Sequence, residues 1–499
     1  MAAYVRKVPT KSGAQAVQIV WSKKHGHVEL EHVGSAHDDT ELALLWSVAR
    51  QRMNAGQTEL DLGLPVASSD ALPIVGSRMG RLLDVIAQVY RWFGFDRISG
   101  LDKVFEQLVT ARIIEPSSKK DAGRVLGEAG LEAMSYATIK RRLPSYARQE
   151  WRDRLSGAVA ARAQLGPAAL VLYDLTTLWF ETDEGDGFRE PGFSKERRLE
   201  PQVTVGLLAD TSGAPLMVDA FAGNQAETTT MIPLIQRFIS AYGITGVTVV
   251  ADAGMLSEAN LKAVEDAGWS FIVGGRIPEV PYVVKQWLNT HPGEQVPDQL
   301  TLSQPDIMGV KPDLRGRMIY YQWREDRARR SLHGIDQQIV KAEKTVAGQT
   351  PVKRNRFVKI SGAIKSVNRE LEAKTRTLAG WKSYVTNLDS SPEFVIGAYH
   401  QLWHVEHAFR MSKHDLKARP IYHHKKESID AHLAVVFAAL AISHWIEQTT
   451  GWTISQFVKT MRTYREVTIN VDGHHVKAEQ PITPEIIQLL DAIHDRLGY

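Results

Sequence analysis

AALVLYD, residues Ala168–Asp174, is an unbroken apolar run that closes on an acid. Six apolar residues in succession fit a strand buried on both faces, as in a sheet covered on each side. GVTVVAD, Gly246–Asp252, repeats the design, with Asp252 directly after the run. Between them, Gln202–Ala209 and Pro215–Ala222 read as two strands around the turn Asp210-Thr211-Ser212-Gly213. Ala226–Tyr242 has helical periodicity, Ser257–Ala267 reads as a second helix, and Ser270–Gly274 as a fifth strand.

The order strand, strand, strand, helix, strand, helix, strand predicts an antiparallel trio followed by right-handed crossovers. The expected fold class is therefore α/β, a mixed five-stranded sheet with helices on its faces, in the order of the ribonuclease-H-like fold. In that arrangement the first and fourth strands are parallel neighbours. Asp174 and Asp252, each immediately after its strand, then emerge at one sheet edge, where open α/β sheets present their sites.

A third acid comes from YHQLWHVEHAFRMSK, Tyr399–Lys413. Read as one helix, it sets Tyr399, Glu406 and Lys413 seven residues apart, almost two turns, on a single face. Leu402, Trp403 and Phe409 share or flank that stripe, which would put the Glu406 carboxylate beside the core and in need of a partner. Asp174, Asp252 and Glu406 together form a set of oxygen donors with no thiolate, suited to Mg2+ or Mn2+. Two such ions about 4 Å apart serve phosphodiester chemistry by activating the attacking hydroxyl and stabilising the leaving oxygen. Each acid also has a plainer reading. An Asp after a strand is often a turn former or helix cap, and Glu406 can pair with Arg410 one turn on.

Composition bounds the rest. The 499 residues allow several domains, and a charged fraction of 23% is ordinary for a globular chain. Cys is absent, which excludes disulfides, thiolate nucleophiles and Cys-ligated zinc and suits a reducing cytoplasm. No signal-like apolar segment opens the chain, and the longest apolar run, His432–Ile446, is too short to span a bilayer, so no membrane role is expected.

Residues 1–64 read as a β-hairpin plus helix, with Lys23-Lys24-His25-Gly26 at the turn, and Leu62–Ser77 as a linker. Residues 78–163 read as helical, broken at Gly94, Pro116 and Pro144. Helices at Ser117–Gly127 and Ser135–Leu143 around Gly130 have helix-turn-helix proportions, which makes this a candidate DNA-binding domain. Residues 167–276 and 389–447 make the sheet domain, and 448–499 a C-terminal helical segment. Residues 277–388 read as an insertion, with strand-like VPYVVKQW and MIYYQW, long charged helices, and a strand at Trp381–Asn387. The net charge is only +3, yet Arg324–Lys382 holds fifteen Lys or Arg against six Asp or Glu. That stretch is either a solvated face or a basic arm for a polyanion.

From about residue 95 to about 450 the chain resembles the DDE transposases of bacterial insertion sequences, in the group with a Tyr-Arg-Glu-Lys signature helix. The motifs that carry the resemblance are YDLTTLWFE (Tyr173–Glu181), GFSKERRLEPQVTVGLL (Gly192–Leu208), GAPLMVDAFAGNQAETTTM (Gly213–Met231), VADAGMLSEANL (Val250–Leu261), VTNL (Val385–Leu388) and the signature stretch continued to His424. The resemblance implies that Asp174, Asp252 and Glu406 are the three catalytic, metal-holding acids. It implies that Tyr399 and Lys413 hold DNA phosphates. The signature Arg falls at Leu402, so either Arg410 or another arginine makes its contact or the contact is missing. Lys195, Arg197 and Arg198, between the first two strands, also carry donors suited to phosphates. The histidines His400, His404, His407, His414, His423 and His424 suggest structural or DNA-facing roles before zinc.

The expected function is cut-and-paste transposition of an insertion sequence, with Mg2+ or Mn2+, two ions, at the acids. Double-stranded DNA, both terminal inverted repeats and target, is the expected partner, and synapsis of two ends implies at least a homodimer on DNA. A structure-selective nuclease on the same fold and a domesticated DNA-binding protein without catalysis are the alternatives. A glycoside hydrolase is more distant, since nothing resembles a sugar platform.

Overall fold

The computed structural model describes residues 3–498 apart from 11–12, 25–26, 55–73, 164–167, 181–183, 193–199, 226, 245, 254–256, 307–315, 352–354, 362–363, 419–424 and 472–473. The chain forms two compact units, one of residues 1–89, 113–136 and 446–499, the other of 90–112 and 137–445.

In the first unit, Tyr4–Pro9, Gln15–Lys24 and His27–Ala36 form a three-stranded antiparallel sheet, one strand more than the expected hairpin. Val17 and Ile19 alternate onto its inner face, where helix Asp39–Asn54 covers them with Leu42, Leu45 and Trp46. A second three-stranded sheet joins Ile74–Arg78 to the C-terminal hairpin Glu466–Val471 and His474–Glu479. Part of the expected linker is therefore a strand, and the C-terminal segment is not all helical. Arg78 lies opposite Glu466 and pairs with it at 3.2 Å across 388 residues. A partner that distant leaves no local mark, and pairing overrides the turn-like composition around Pro73. The two helices of helix-turn-helix proportions are Ala122–Glu128 and Tyr136–Ala147, and the chain leaves the first unit at Tyr136. Pro144 lies inside the latter helix, where a break was expected.

The second unit is built on a mixed sheet. Its first five strands are β1 (Ala168–Trp179), β2 (Gln202–Ala209), β3 (Pro215–Ala222), β4 (Gly246–Ala251) and β5 (Ser270–Gly275), with α1 (Glu227–Tyr242) and α2 (Glu258–Asp266) between them. The chain continues through α3 (Tyr282–Thr290), β6 (Thr301–Pro305), β7 (Met318–Trp323), α4 (Glu325–Val346), α5 (Arg369–Thr377) and β8 (Trp381–Thr386). The spatial order is β6-β7-β8-β5-β4-β1-β2-β3. β1 is parallel to β4 and β4 to β5, while β1–β2–β3 form an antiparallel trio.

The sheet thus has eight strands where five were expected. The extra three come from the inserted region, which adds β8 antiparallel to β5 and so closes the open edge of that buried strand. On one face, Val171, Tyr173, Val249, Ala251, Phe271 and Val273 pack under Leu234 and Phe238 of α1 and Leu261 and Val264 of α2. Each such side chain, fully buried, contributes about 1.5–3 kcal/mol. β2 is buried along all eight residues, the polar Gln202 and Thr204 included.

The inserted region has its own interior. VPYVVKQW is helical from Tyr282 on, not a strand: Val284 is buried and Leu288 follows one turn later, against Tyr321, Trp323 and Trp381. The β-branched residues suggest a strand, but burial every three to four residues decides the matter. In α4, Ala328, Leu332, Ile335, Ile339 and Ala342 recur at alternating spacings of four and three; Ala328 packs with Trp323 and Trp381, and the other four with Phe357 and Leu371. A short hairpin, Val358–Ser361 with Ile364–Val367, separates α4 from α5.

Polar clusters fix the helices of this unit. Asp102 caps helix Lys103–Ile114 through the Val104 and Phe105 amides and accepts from Arg142 and from Tyr146 Oη at 2.9 Å. Asp219 on β3 takes Arg152 at 2.8 Å and Arg237 of α1, which also reaches Asp153 at 2.9 Å. Helix α8 (Lys426–Thr450) is long and apolar enough to cross a membrane by length and composition, more than the apolar run alone suggests, and that stretch is wholly buried within the protein.

Candidate active site

The last registered pair between β1 and β4 is Leu172 with Val250. Two residues further on stand Asp174, within β1, and Asp252, just past the end of β4. That step returns both to the face of Leu172 and Val250, opposite the one buried under α1 and α2. Adjacent strands lie about 4.8 Å apart, so the two acids are near neighbours across the strand gap. β1 runs on to Trp179, so Asp174 is within the strand, opposite Leu207 of β2, and not past its end. Both carboxylates are held by the chain itself. Asp174 Oδ1 accepts the Leu175 amide at 2.8 Å and Asp252 Oδ1 the Ala253 amide at 2.7 Å.

The stretch expected as one helix is three pieces. α6 (Pro392–His400) ends at Gln401, α7 (Leu402–Arg410) follows, and Met411–Asp415 winds as a π-helical turn. α7 packs on β1 and β2, and α6 on β5 and β8. Tyr399, Glu406 and Lys413 therefore do not share a continuous helical face. Leu402, Val405, Ala408 and Phe409 take the buried stripe, and Glu406 is exposed instead of desolvated beside the core. Among the described residues Glu406 makes no ion pair with Arg410, whose side chain is also exposed. Leu402 is buried, and Lys413 is half-buried beside Phe409, Ser412 and Thr176. Lys195, Arg197 and Arg198 lie outside the described residues, as do His423 and His424.

Tyr399 joins these parts. It is buried at the end of α6 and donates its hydroxyl to Asp252 Oδ1 at 2.9 Å. Burial first, then the Asp252 charge, pushes the phenol's pKa far up, so it stays a donor. The ring lies against β5 at Gly274, where a Cβ would come within 2.5 Å of the hydroxyl. Tyr384 of β8 meets it edge-on at 5.1 Å, and Lys382 Nζ sits 4.1 Å from the ring centroid. Lys382 has its pKa lowered by burial and then by Arg327, while Asp252 and Glu406 pull it the other way. Asp252 and Glu406 both act on Tyr399 as well. Two of the three acids thus share two neighbours, and the third lies across the strand gap from Asp252.

Of the histidines, His404 and His407 are close enough to act on each other, while His400 has other neighbours. His400, at the end of α6, approaches Tyr384 Oη at 3.4 Å, and its pKa is lowered by burial and by Lys382. His404, on α7, packs on the β2–β3 turn, where a Cβ on Gly213 would lie 3.0 Å from its own. Gly213 has φ of +92°, a left-handed conformation that suits glycine. Among the described residues no three His, Asp or Glu side chains are already drawn together as a metal cage. The donor chemistry nonetheless fits hard divalent cations. Asp252 is exposed, with one oxygen engaged by donors, and Glu406 is exposed and makes no ion pair among the described residues.

Lys382, Arg324, Arg327 and Gly274 are site residues that the sequence reading did not single out. Their signal was faint: a lysine within the otherwise buried strand WKSYVT, and a glycine closing an apolar strand.

Comparison with curated proteins gives no match. Among solved structures, the cryo-EM structure of piggyBac transposase synaptic complex with hairpin DNA is similar at 9% identity and a TM-score of 0.36, over 93% of this chain and 80% of that chain, a likeness too slight to argue from. Residues 168–442, from the first residue of β1 into α8 and more than half of the chain, match the family model of the transposase DDE domain, and the chain belongs to that family.

Proposed function

We propose that this chain is a cut-and-paste DNA transposase that cleaves at the terminal inverted repeats of its own insertion sequence and joins the freed 3′-hydroxyls to target DNA. The observation that carries the reading is the relation of the acids. Asp174, on β1, and Asp252, directly after β4, each lie two residues beyond the last registered pair of these parallel neighbouring strands, and the helix bearing Glu406 packs on β1, all inside the span matched by the transposase DDE domain. The strand order β5-β4-β1-β2-β3 supports a ribonuclease-H-like core extended by the inserted strands.

In this reading Asp174, Asp252 and Glu406 would hold two Mg2+ or Mn2+ ions. Bound there, the ions would supply an activated water or 3′-hydroxyl and charge compensation at the leaving oxygen. The chain's own share is alignment. The Leu175 and Ala253 amides and the Tyr399 hydroxyl orient the two aspartates before DNA arrives. Arg410 and Lys413, with Lys195, Arg197 and Arg198, would hold DNA phosphates, whereas the buried Tyr399, expected among them, has its hydroxyl given to Asp252. Pairing of two ends calls for at least a homodimer on DNA, and the work would be done in the cytoplasm, on the nucleoid.

The test uses Asp174→Asn, Asp252→Asn and Glu406→Gln, which keep shape and remove charge. Gel shift and strand-transfer assays on the same preparations should show end binding retained or tightened and both cleavage and joining abolished. Joining that survives in any one variant removes that acid from the site. Cleavage without joining in the unaltered protein would make it a nuclease instead.

A further inference from the structure

Three cations gather beside the acids. Lys382 on β8 lies over the Tyr399 ring, and Arg327 is near enough to lower its proton affinity. Arg327 and Arg324 both act on His400 as well, which places the three in one neighbourhood. Arg327 donates to the carbonyls of Gln322 and Gly380, each at 3.1 Å, and its guanidinium also acts on the Tyr384 hydroxyl. Among the described residues none of the three makes an ion pair, whereas several cations of this region do: Arg329 with Asp326, Arg369 with Glu343, Lys374 with Glu279 and Arg376 with Asp336. Like charges held together in half-buried positions repel one another and have lost part of their hydration. An arriving anion relieves both costs.

Place selects the anion. Lys382 feels the charges of Asp252 and Glu406, and it also lines a cleft of about 640 Å3 in the inserted region. The cleft carries Arg330, Arg356 and Lys374 around an apolar floor that includes Ile335 and Trp381. One side chain therefore lies near the acids and also lines a cleft that carries further cations. A small anion would need only the first. A chain of phosphates fits both.

We propose that Lys382, with Arg327 and Arg324, forms a phosphate site that grips the DNA backbone next to the reacting bond and leads that strand from the inserted region's cleft to the acids. The inference rests on the DNA-cleaving reading above and adds to it a binding site outside the acids and outside the signature stretch. Lys382 is central because its ammonium is already fixed on the Tyr399 ring, so little freedom is lost when a phosphate oxygen arrives.

The experiment is a phosphate-by-phosphate interference measurement on the full chain. Duplexes carrying the terminal repeats of the encoding element are made with one neutral methylphosphonate at each position near the cleavage point. Binding is measured in chelator, so that no metal is involved, for the unaltered protein, Lys382→Gln and Lys382→Arg. The expected result is a loss of about tenfold at one position in the unaltered protein, a similar loss in Lys382→Gln on natural DNA, and no further loss in that variant when the same phosphate is neutral. Lys382→Arg should retain most of the affinity, which also shows that the position tolerates change. Equal further loss in Lys382→Gln at every position, or unchanged binding on natural DNA, overturns the proposal. With Mn2+ added, an unaltered protein that leaves the DNA uncut while the interference persists would sink the cleavage reading and leave the phosphate site standing.

Discussion

Tyr399 reaches across 147 residues of sequence to donate a 2.9 Å hydrogen bond to Asp252. The bond ties the end of α6 to the residue just past β4 and gives one acid a fixed orientation before any ligand is present. Removing the hydroxyl alone isolates that effect. Tyr399→Phe keeps the ring under Lys382 and against Tyr384, so end binding should stay within about twofold. Cleavage should fall by roughly tenfold, the size expected when a hydrogen bond to a charged group is lost from a reacting array. Single-turnover cleavage rates beside gel-shift affinities decide it; equal rates would mean that the bond does not position Asp252.

Gly274 makes room for that contact. A Cβ there would lie 2.5 Å from the Tyr399 hydroxyl and 3.0 Å from its ring carbons, closer than atoms approach without movement. Gly274→Ala should push the ring off β5 and cost about 1–3 kcal/mol, as overpacking does, together with a cleavage loss at least as large as that of Tyr399→Phe. Gly274→Ala combined with Tyr399→Phe should be less than additive, because both act on one contact. Full additivity in urea unfolding and in cleavage would separate the glycine from the site.

The two aspartates were legible because everything that marks them is local: an apolar run, then an acid. The strand order of β1 to β5 followed from the same runs. What escaped depended on distant partners. The three added strands pair only once β8 finds β5, and no composition near Trp381 announces that edge. The break at Gln401 carries neither proline nor glycine, so the signature stretch reads as one helix. Once it bends, the apolar stripe turns with it and Glu406 faces outward. Lys382 was hidden for a different reason. A lysine in a basic region reads as solvated, and only the packing of Tyr399 beneath it makes it a site residue.

Asp102 stabilises the unit in a way that pH reports. It caps one helix, accepts from Arg142, and accepts from the Tyr146 hydroxyl, whose pKa burial and then Asp102 push far up from 10.0. A tyrosine whose folded pKa exceeds its unfolded value holds its proton longer when folded. Its contribution is complete below pH 10.0 and is lost as pH rises through the folded value. Urea unfolding at values on either side of pH 10.0 should therefore show stability falling more steeply in the unaltered protein than in Tyr146→Phe. Asp102→Ala should cost about 3 kcal/mol at neutral pH, since it removes the cap and leaves two donors without their acceptor. Identical alkaline limbs for the two proteins would show that Tyr146 ionises equally easily folded and unfolded.

The basic region can be tested residue by residue, because its cations are not equivalent. Arg330 and Arg356 line the cleft, whereas Arg329 is exposed and already paired with Asp326. Arg354 lies outside the described residues. Each phosphate contact releases counterions, so losing one lowers the slope of log affinity against log salt by roughly one. Arg330→Glu and Arg356→Glu should each flatten the slope by about that amount. Arg329→Glu should change it less, since its charge is largely spent on its neighbour. Equal effects from all three substitutions would describe a diffuse basic face with no channel. No effect from Arg330→Glu or Arg356→Glu would mean that the cleft faces water alone, and the DNA would then have to reach the acids by another side of the sheet.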